Sequence, residues 1–177
     1  MKKQNNFITQ GSKIIDVIGI DAYGLEKLPP SLIKIITSAE AIAAPERILE
    51  LLPNWWLQRK LNKSLPNLIK SEKTNNLISL LKKRRSKTVV LASGDPLWFG
   101  VGRLLLENFS PNELCFHPSP TSLQLAFARI GRPWQDSSWI SIHGRDPYPL
   151  AEKLQQRPDA LTILPDQNRG GAKEIQI

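Results

Sequence analysis

The chain has 177 residues, 41% of them hydrophobic, so it can fill the core of one ordinary domain or of two small ones. Its one cysteine, Cys115, excludes a disulfide framework, and no apolar stretch is long enough for a membrane span. The first residues, MKKQNNFITQ, lack the apolar run of a signal peptide. We therefore expect a cytoplasmic protein that does not act at a membrane.

The formal net charge of +8 is compatible with a nucleic-acid partner or with a ligand rich in carboxylates. The densest cations are residues 82–85 and Lys87, which follow an apolar helical pattern. Cations at a helix C-terminus interact favourably with the helix dipole and stay in solvent. We interpret this run as a solvated helix end and expect no nucleic-acid partner.

The first third of the chain alternates between strand and helix signals. The β-branched run at residues 14–20 predicts a strand, and helical spacing over residues 32–39, after two prolines, predicts a helix. Residues 41–45 predict a second strand, and residues 46–52 a short helix stopped by Pro53. Residues 54–73 give no clear assignment.

The remaining elements continue the alternation. Predicted helices cover residues 77–81, 104–109, 123–130 and 150–154, with Gly131 as the C-terminal glycine of the third. Predicted strands cover residues 88–93, 114–118, 138–144 and 160–165. This order predicts an α/β protein with mainly parallel pairing. Only two clear strands follow residue 120, so we expect the second α/β domain to be incomplete.

The most unusual stretch is LASGDPLWFGVG, residues 91–102, which follows a buried strand with a loop rich in glycine. Gly94 lets a ligand approach the backbone, while Asp95 and Pro96 are typical of a helix cap and first turn. Gly100 and Gly102 would weaken that helix, which indicates a close neighbour, either a ligand or another backbone.

The motif Gly94-Asp95-Pro96 with Phe99-Gly100 resembles the loop of the tetrapyrrole (corrin/porphyrin) methylase family. Residues 17–29 resemble the family's first strand and loop, and residues 118–146 resemble the segment that leads into its second domain. Ser141 and His143-Gly144-Arg145 are similar to the branch that methylates C5 of precorrin or cobalt-precorrin rings in cobalamin synthesis. The resemblance covers nearly the whole chain from Ile14 onward.

The resemblance implies an α/β enzyme with a two-domain tetrapyrrole-methylase-like fold. Its first domain, with a mainly parallel sheet, would cover residues 1–117, and its partial second domain residues 118–177. S-adenosylmethionine would lie between the domains, and the substrate would be a precorrin-type tetrapyrrole. The cofactor contacts implied by the matching motifs are Gly94, Asp95, Pro96, Leu97, Thr121 and Ser122.

Further roles are less determined by the pattern. Arg129, Arg132 and Arg145 are candidates to pair with substrate carboxylates, because a guanidinium binds a carboxylate in a fork. His117 and His143 are interpreted as structural strand residues and Cys115 as a small core residue. We assign no catalytic acid or base and no metal ligand. The resemblance also suggests a homodimer.

Two departures from the family pattern leave alternatives open. Asp21, Ala22 and Tyr23 stand where the first loop is usually glycine-rich, and the strands expected after residue 171 are missing. We therefore expect a truncated member, weakly active or inactive. The competing hypotheses are a non-catalytic remnant and a relative that methylates ribosomal RNA or diphthine. Ordinary helix capping is the alternative interpretation of Thr121 and Ser122.

Overall fold

The computed structural model describes residues 14–61, 63–71, 74–83, 86–142, 146 and 148–165. The predicted His143-Gly144-Arg145 segment and residues 166–177 lie outside the described residues. The chain divides into two compact units, one ending at Ser119 and the other beginning at Pro120.

The first unit is built on a parallel sheet. Its strands are β1 (Ile15–Ile20), β2 (Ala41–Ala44), β3 (Asn67–Lys70), β4 (Thr88–Ser93) and β5 (Leu114–His117). They lie in the order β3-β2-β4-β1-β5, and every pairing is parallel. β1 and β2 are buried throughout, and β4 is buried up to its last residue. This is the pattern of parallel strands that are covered on both faces.

Helices cover the two faces of this sheet. They are α1 (Pro30–Thr37), α2 (Glu46–Leu49), α3 (Leu52–Gln58), α4 (Thr74–Lys83) and α5 (Gly102–Leu106). Ile36 of α1 packs in a buried cluster with Ile18 and Ile42, whereas Leu105 of α5 packs in the opposite cluster with Val17 and Val90. Successive side chains of a strand point to opposite faces, so the two clusters are the two sides of one sheet.

The connections that leave β1 and β4 diverge, although the two strands are neighbours. After β1 the chain enters α1 on one face and proceeds to β2, and after β4 it enters α5 on the other face and proceeds to β5. Ligands of open α/β sheets bind in the crevice beyond the carboxyl ends of two such strands. The topology therefore predicts a ligand-binding crevice at the carboxyl ends of β1 and β4.

The second unit contains a smaller parallel sheet. β6 (Ser138–Ser141) pairs with β7 (Leu161–Leu164), and its helices are α6 (Ser122–Ile130) and α7 (Tyr148–Gln155). The Gly131 prediction is confirmed, because this residue ends α6 in the left-handed conformation with φ 65°. The predicted α/β class with a mainly parallel first sheet is confirmed as well.

In the first unit the sequence assignments at Pro53 and over residues 104–109 are wrong at their boundaries, and the stretch left unassigned contains two elements. The helix predicted to stop at Pro53 ends at Leu49, and Pro53 is instead the second residue of α3. Proline is well tolerated in the first turn of a helix, where its missing N–H costs nothing. The unassigned residues 54–73 contain most of α3 and the edge strand β3. The helix predicted over residues 104–109 begins at Gly102 and ends at Leu106, so Phe109 lies beyond it.

None of the helices in the described part of the chain is long and apolar enough to cross a membrane.

Candidate functional site

Gly94 follows β4 at the carboxyl edge of the first sheet and has a left-handed backbone. Its φ is +62°, a conformation that glycine adopts without the steric penalty of a side chain. Its N–H donates a hydrogen bond of 2.7 Å to the carbonyl of Ile20, the last residue of β1. The loop is therefore fastened at the diverging ends of β1 and β4.

Gly19 of β1 is the residue that allows this loop to approach. A Cβ atom at Gly19 would lie 2.0 Å from the Gly94 carbonyl oxygen and 2.8 Å from the Ser119 nitrogen. Ser119 Oγ also donates to the Gly19 carbonyl at 2.9 Å. Gly19 was not among the residues predicted from the sequence, although an isolated glycine inside a strand signals close backbone approach.

Asp95 caps a turn and not a helix, so that prediction is wrong. Its Oδ1 accepts a hydrogen bond of 2.8 Å from Leu97 N–H, and its carbonyl accepts from Trp98 N–H at 3.1 Å. Turns and bends continue to Val101, which precedes the first residue of α5 and provides no side-chain cap. Asp95 prefers this arrangement because aspartate readily bonds the backbone two residues on.

The two later glycines are explained by another backbone. A Cβ atom at either Gly100 or Gly102 would lie 2.6 Å from the carbonyl oxygen of Pro96, and Gly102 N–H donates to that oxygen at 2.9 Å. Pro96 itself is fully buried. The sequence predicted either a ligand or another backbone close to these glycines, and the structure shows the protein's own backbone there.

The same loop exposes apolar side chains beside this buried turn. Leu97 is 52% exposed and Phe99 is 44% exposed. Phe99 packs edge-on against Trp98 with ring centroids 5.0 Å apart, and it has a positive φ of 52° although it is not glycine. Such a dihedral is held by its surroundings, so the loop presents these rings in a defined position.

Arg47 is a second residue that sequence reasoning missed. It lies in α2, directly after β2, and its Nη2 donates a hydrogen bond to Ser93 Oγ at the end of β4. β2 and β4 are neighbours, so their carboxyl ends meet at one edge of the sheet. Among the described residues Arg47 forms no ion pair with a carboxylate. Its guanidinium, which contacts Ser93 next to Gly94, is therefore available to bind an anionic group of a ligand.

The loop after β1 closes on itself. Tyr23 N–H donates to Asp21 Oδ1 at 2.8 Å, and Gly24 has a φ of +72°. Apart from its two chain neighbours, no described residue has an atom within 4 Å of the Gly24 Cβ position.

Thr121 and Ser122 begin α6 in the second unit, where Thr121 forms a capping box. Gln124 N–H donates to Thr121 Oγ1 at 3.2 Å, and Thr121 N–H donates to Gln124 Oε1 at 2.8 Å. Thr121 is buried and Ser122 is exposed. The hydroxyl of Thr121 therefore has a structural role, and a cofactor contact by either residue stays a prediction.

The predicted substrate arginines are surface residues where they are described. Arg129 in the last turn of α6 and Arg132 just beyond it are both exposed. Arg132 Nη1 donates to the Asp159 carbonyl at 3.5 Å. Arg145 lies outside the described residues.

Two cavities lie at the other edge of the first sheet. One of about 310 Å³ is lined by Ile15 and Thr88, the first residues of β1 and β4, and one of about 550 Å³ by Asn67, the first residue of β3. Both have the volume of small-ligand pockets. However, ligands of open α/β sheets bind at the carboxyl ends of the strands. We therefore take the Gly94 loop, and neither cavity, as the candidate site.

The sequence relatives of the chain are methyltransferases. It is 32% identical over 152 residues to a precorrin-6Y C(5,15)-methyltransferase [decarboxylating] of Sinorhizobium sp, covering 86% of this chain and 35% of that protein. It is 29% identical over 133 residues to a cobalt-precorrin-7 C(5)-methyltransferase of Salmonella typhimurium, covering 75% and 62%. The chain thus spans about a third of the first relative and under two thirds of the second.

Solved structures show the same fold. A precorrin-6Y methylase of cobalamin biosynthesis from Archaeoglobus fulgidus aligns with a TM-score of 0.58 at 24% identity, covering 76% of this chain and 67% of that one. The methyltransferase CobJ aligns with a TM-score of 0.62 at 20% identity, covering 90% and 72%. These likenesses confirm the predicted fold.

A family model described as tetrapyrrole (corrin/porphyrin) methylases matches residues 17–176, which include both glycines that bring β1 and the loop after β4 together. The match extends across both compact units and confirms the resemblance seen in the sequence. The chain belongs to the tetrapyrrole (corrin/porphyrin) methylase family.

Proposed function

We propose that this chain is an S-adenosylmethionine-dependent C-methyltransferase that acts on a precorrin or cobalt-precorrin ring in cobalamin synthesis. The named activities of its sequence relatives support the reaction and the substrate class. The single observation that carries the site is the left-handed backbone of Gly94 at the diverging ends of β1 and β4.

The residues at this edge match the chemistry of the proposed cofactor. The methionine end carries a carboxylate, an ammonium and a sulfonium. Arg47 offers a guanidinium for the carboxylate, and the Asp95 carboxylate and the loop carbonyls offer acceptors for the ammonium. Gly94 has no side chain to cover its backbone, and Leu97 provides exposed apolar surface. The residues present therefore fit the group.

When bound, S-adenosylmethionine would supply an electrophilic methyl group. A ring carbon would form the new C–C bond as the S–CH₃ bond breaks, the neutral thioether would leave, and the ring would later lose a proton. This chain would contribute alignment and exclusion of water, since the reaction requires no covalent intermediate on the protein. Arg129, Arg132 and Arg145 are proposed to pair with carboxylates of the ring.

The binding test is calorimetric titration of the intact chain with S-adenosylmethionine and with S-adenosylhomocysteine. We expect Gly94→Val to weaken binding by at least about tenfold, a loss of roughly 1.4 kcal/mol. Gly131→Val is the matched control, because it strains a glycine of nearly equal φ that is not part of this loop. Equal affinities in the two variants would remove the loop from the site.

The substrate test is incubation of the cofactor-loaded protein with corrin intermediates and, separately, with ribosomal RNA. Methyl transfer to the ring alone is expected. Transfer to RNA alone would establish the competing enzyme hypothesis, and failure of the chain to bind either cofactor form at millimolar concentration would favour a non-catalytic remnant.

The proposal places the reaction in the cytoplasm, with a homodimer as the expected assembly. Analytical ultracentrifugation at several protein concentrations tests the dimer, and a single monomer species throughout would contradict it.

A further inference from the structure

We propose that Asp16, Cys115 and His117 form a binding site for a divalent transition-metal ion of the zinc type. This inference is independent of the proposed methyltransferase function. One ligand atom from each of the three side chains lies within 4.8 Å of the other two.

Strand pairing brings the three residues together. β1 and β5 are parallel neighbours, and Asp16 lies opposite Cys115 in their register. Cys115 and His117 are two residues apart on β5, so their side chains lie on the same face. Adjacent strands therefore direct a carboxylate, a thiol and an imidazole toward one point.

The separations are close to those of a coordinated ion. Tetrahedral zinc with its usual bond lengths to sulfur, nitrogen and oxygen places neighbouring ligand atoms about 3.3–3.8 Å apart. His117 Nε2 and Asp16 Oδ1 are 2.9 Å apart, and none of the ligand atoms is separated from another by more than 4.8 Å. Shifts of about 1 Å within this range would admit the ion, which would replace the Asp16–His117 hydrogen bond.

The burial of the cluster also favours a cation. Asp16 is only 9% exposed, and a carboxylate removed from water requires compensation by a partner charge or a metal. Cys115 and His117 are partly exposed, so a fourth coordination position would be accessible to water. Zinc bound by three protein ligands commonly keeps such a position open.

The donor set selects the class of ion. A thiolate and an imidazole favour zinc or cobalt(II), whereas magnesium and calcium prefer oxygen ligands. Asp16 and His117 are 101 positions apart, and the pairing of β1 with β5 brings them together, so sequence spacing alone does not reveal this cluster. A bound ion would join β5, an edge strand, to the interior of the sheet.

The experiment is anaerobic titration of the reduced, chelator-treated, untagged chain with cobalt(II) in a non-coordinating buffer. We expect one equivalent to bind, with a near-ultraviolet thiolate-to-cobalt charge-transfer band and visible bands of a four-coordinate ion. Cys115 is the one cysteine of the sequence, so a thiolate-to-cobalt band shows that Cys115 is the ligand. Zinc should displace cobalt and abolish both features. A titration that gives no thiolate band overturns the proposal.

Histidine variants provide the matched comparison. His117→Gln is expected to lower cobalt affinity by about 100-fold or more, whereas His143→Gln, at the other histidine of the sequence, should retain it. Equal affinities in the two variants would overturn the site.

A second readout covers the case in which His117→Gln fails to fold. One equivalent of zinc should raise the melting temperature of the wild-type chain and leave that of the near-isosteric Cys115→Ser variant unchanged. An equal rise in both proteins would also overturn the proposal.

Discussion

The three central strands of the first unit are buried far more completely than the two described strands of the second unit. In the first unit β1, β2 and β4 are almost entirely buried, and clusters of apolar side chains cover both faces of the sheet. In the second unit β7 is partly exposed along its whole length, and β6 buries only its last residue. Sheets with so few strands are marginal without further packing. Local stability should therefore be concentrated in the first unit.

The proposed sites differ in how well the surrounding structure supports them. The Gly94 loop and the Asp16–Cys115–His117 cluster both belong to the well-packed sheet, which provides the rigid support that precise sites require. Thr121 and Ser122 belong to the second unit, and so do the three proposed substrate arginines. The Gly94 loop follows the buried strand β4, and the cluster joins the buried strand β1 to the partly exposed edge strand β5. The described residues among the second unit's candidates lie on or beside α6.

Hydrogen exchange on the intact chain should show the largest contrast. Amides of β4 are expected to exchange only through global unfolding, whereas those of β7 exchange through smaller openings. We expect protection in β4 to exceed that in β7 by on the order of 100-fold or more, about 2.7 kcal/mol of opening free energy. Mass spectrometry of peptides from the two strands measures this ratio. Equal protection of β4 and β7 would show that the second unit is as stable as the first.

A matched pair of isoleucines tests the same contrast by mutation. Ile42 of β2 is 0% exposed, and Ile42→Ala should cost about 2–5 kcal/mol because it leaves a cavity in a packed core. Ile163 of β7 is partly exposed, so Ile163→Ala removes less buried surface and should cost less than half as much. Urea unfolding followed by circular dichroism gives both values. A larger loss for Ile163→Ala would show that the second unit is packed better than its burial indicates.

The sequence predicted the elements whose pattern is strong. The near-continuous β-branched and apolar runs of β1 and β4 are typical of buried parallel strands, and both were assigned correctly. β3 was not predicted because it has four residues, of which only Ile69 is buried. So short an edge strand shows little alternation of apolar and polar residues. The helix cap predicted at Asp95 and the first helical turn predicted at Pro96 are wrong because aspartate and proline signal a turn as readily as a helix start.

Contacts that depend on the fold were beyond prediction from sequence. Arg47 and Ser93 are 46 positions apart, and their contact follows from the pairing of β2 with β4. The approach of Gly94 to Gly19 likewise requires the register of β1 and β4. The family motif located the loop, but it did not reveal the partners that hold the loop in place.

The contact between Gly19 and Gly94 gives the next smaller effect. Gly19→Ala would place a methyl group 2.0 Å from a backbone oxygen that cannot rotate away, so the loop must shift. We expect a loss of about 1–3 kcal/mol, as for overpacked cores, together with weaker cofactor binding. The control is Gly24→Ala, whose left-handed glycine has open space around it and should cost about 1 kcal/mol. Denaturant unfolding and calorimetry measure the two effects, and equal costs would show that Gly19 is not crowded.

The capping box of α6 gives the smallest effect and separates two roles of one hydroxyl. Thr121→Ala removes the acceptor for Gln124 N–H and should cost about 1 kcal/mol, whereas Thr121→Ser keeps it and should cost less. If Thr121 also contacts the cofactor, the alanine variant loses affinity at temperatures where it is fully folded, and the serine variant retains it. If the hydroxyl only caps the helix, both variants bind as the wild type does. Calorimetry well below the melting temperature distinguishes these outcomes, because a loss through stability alone disappears when the chain is entirely folded.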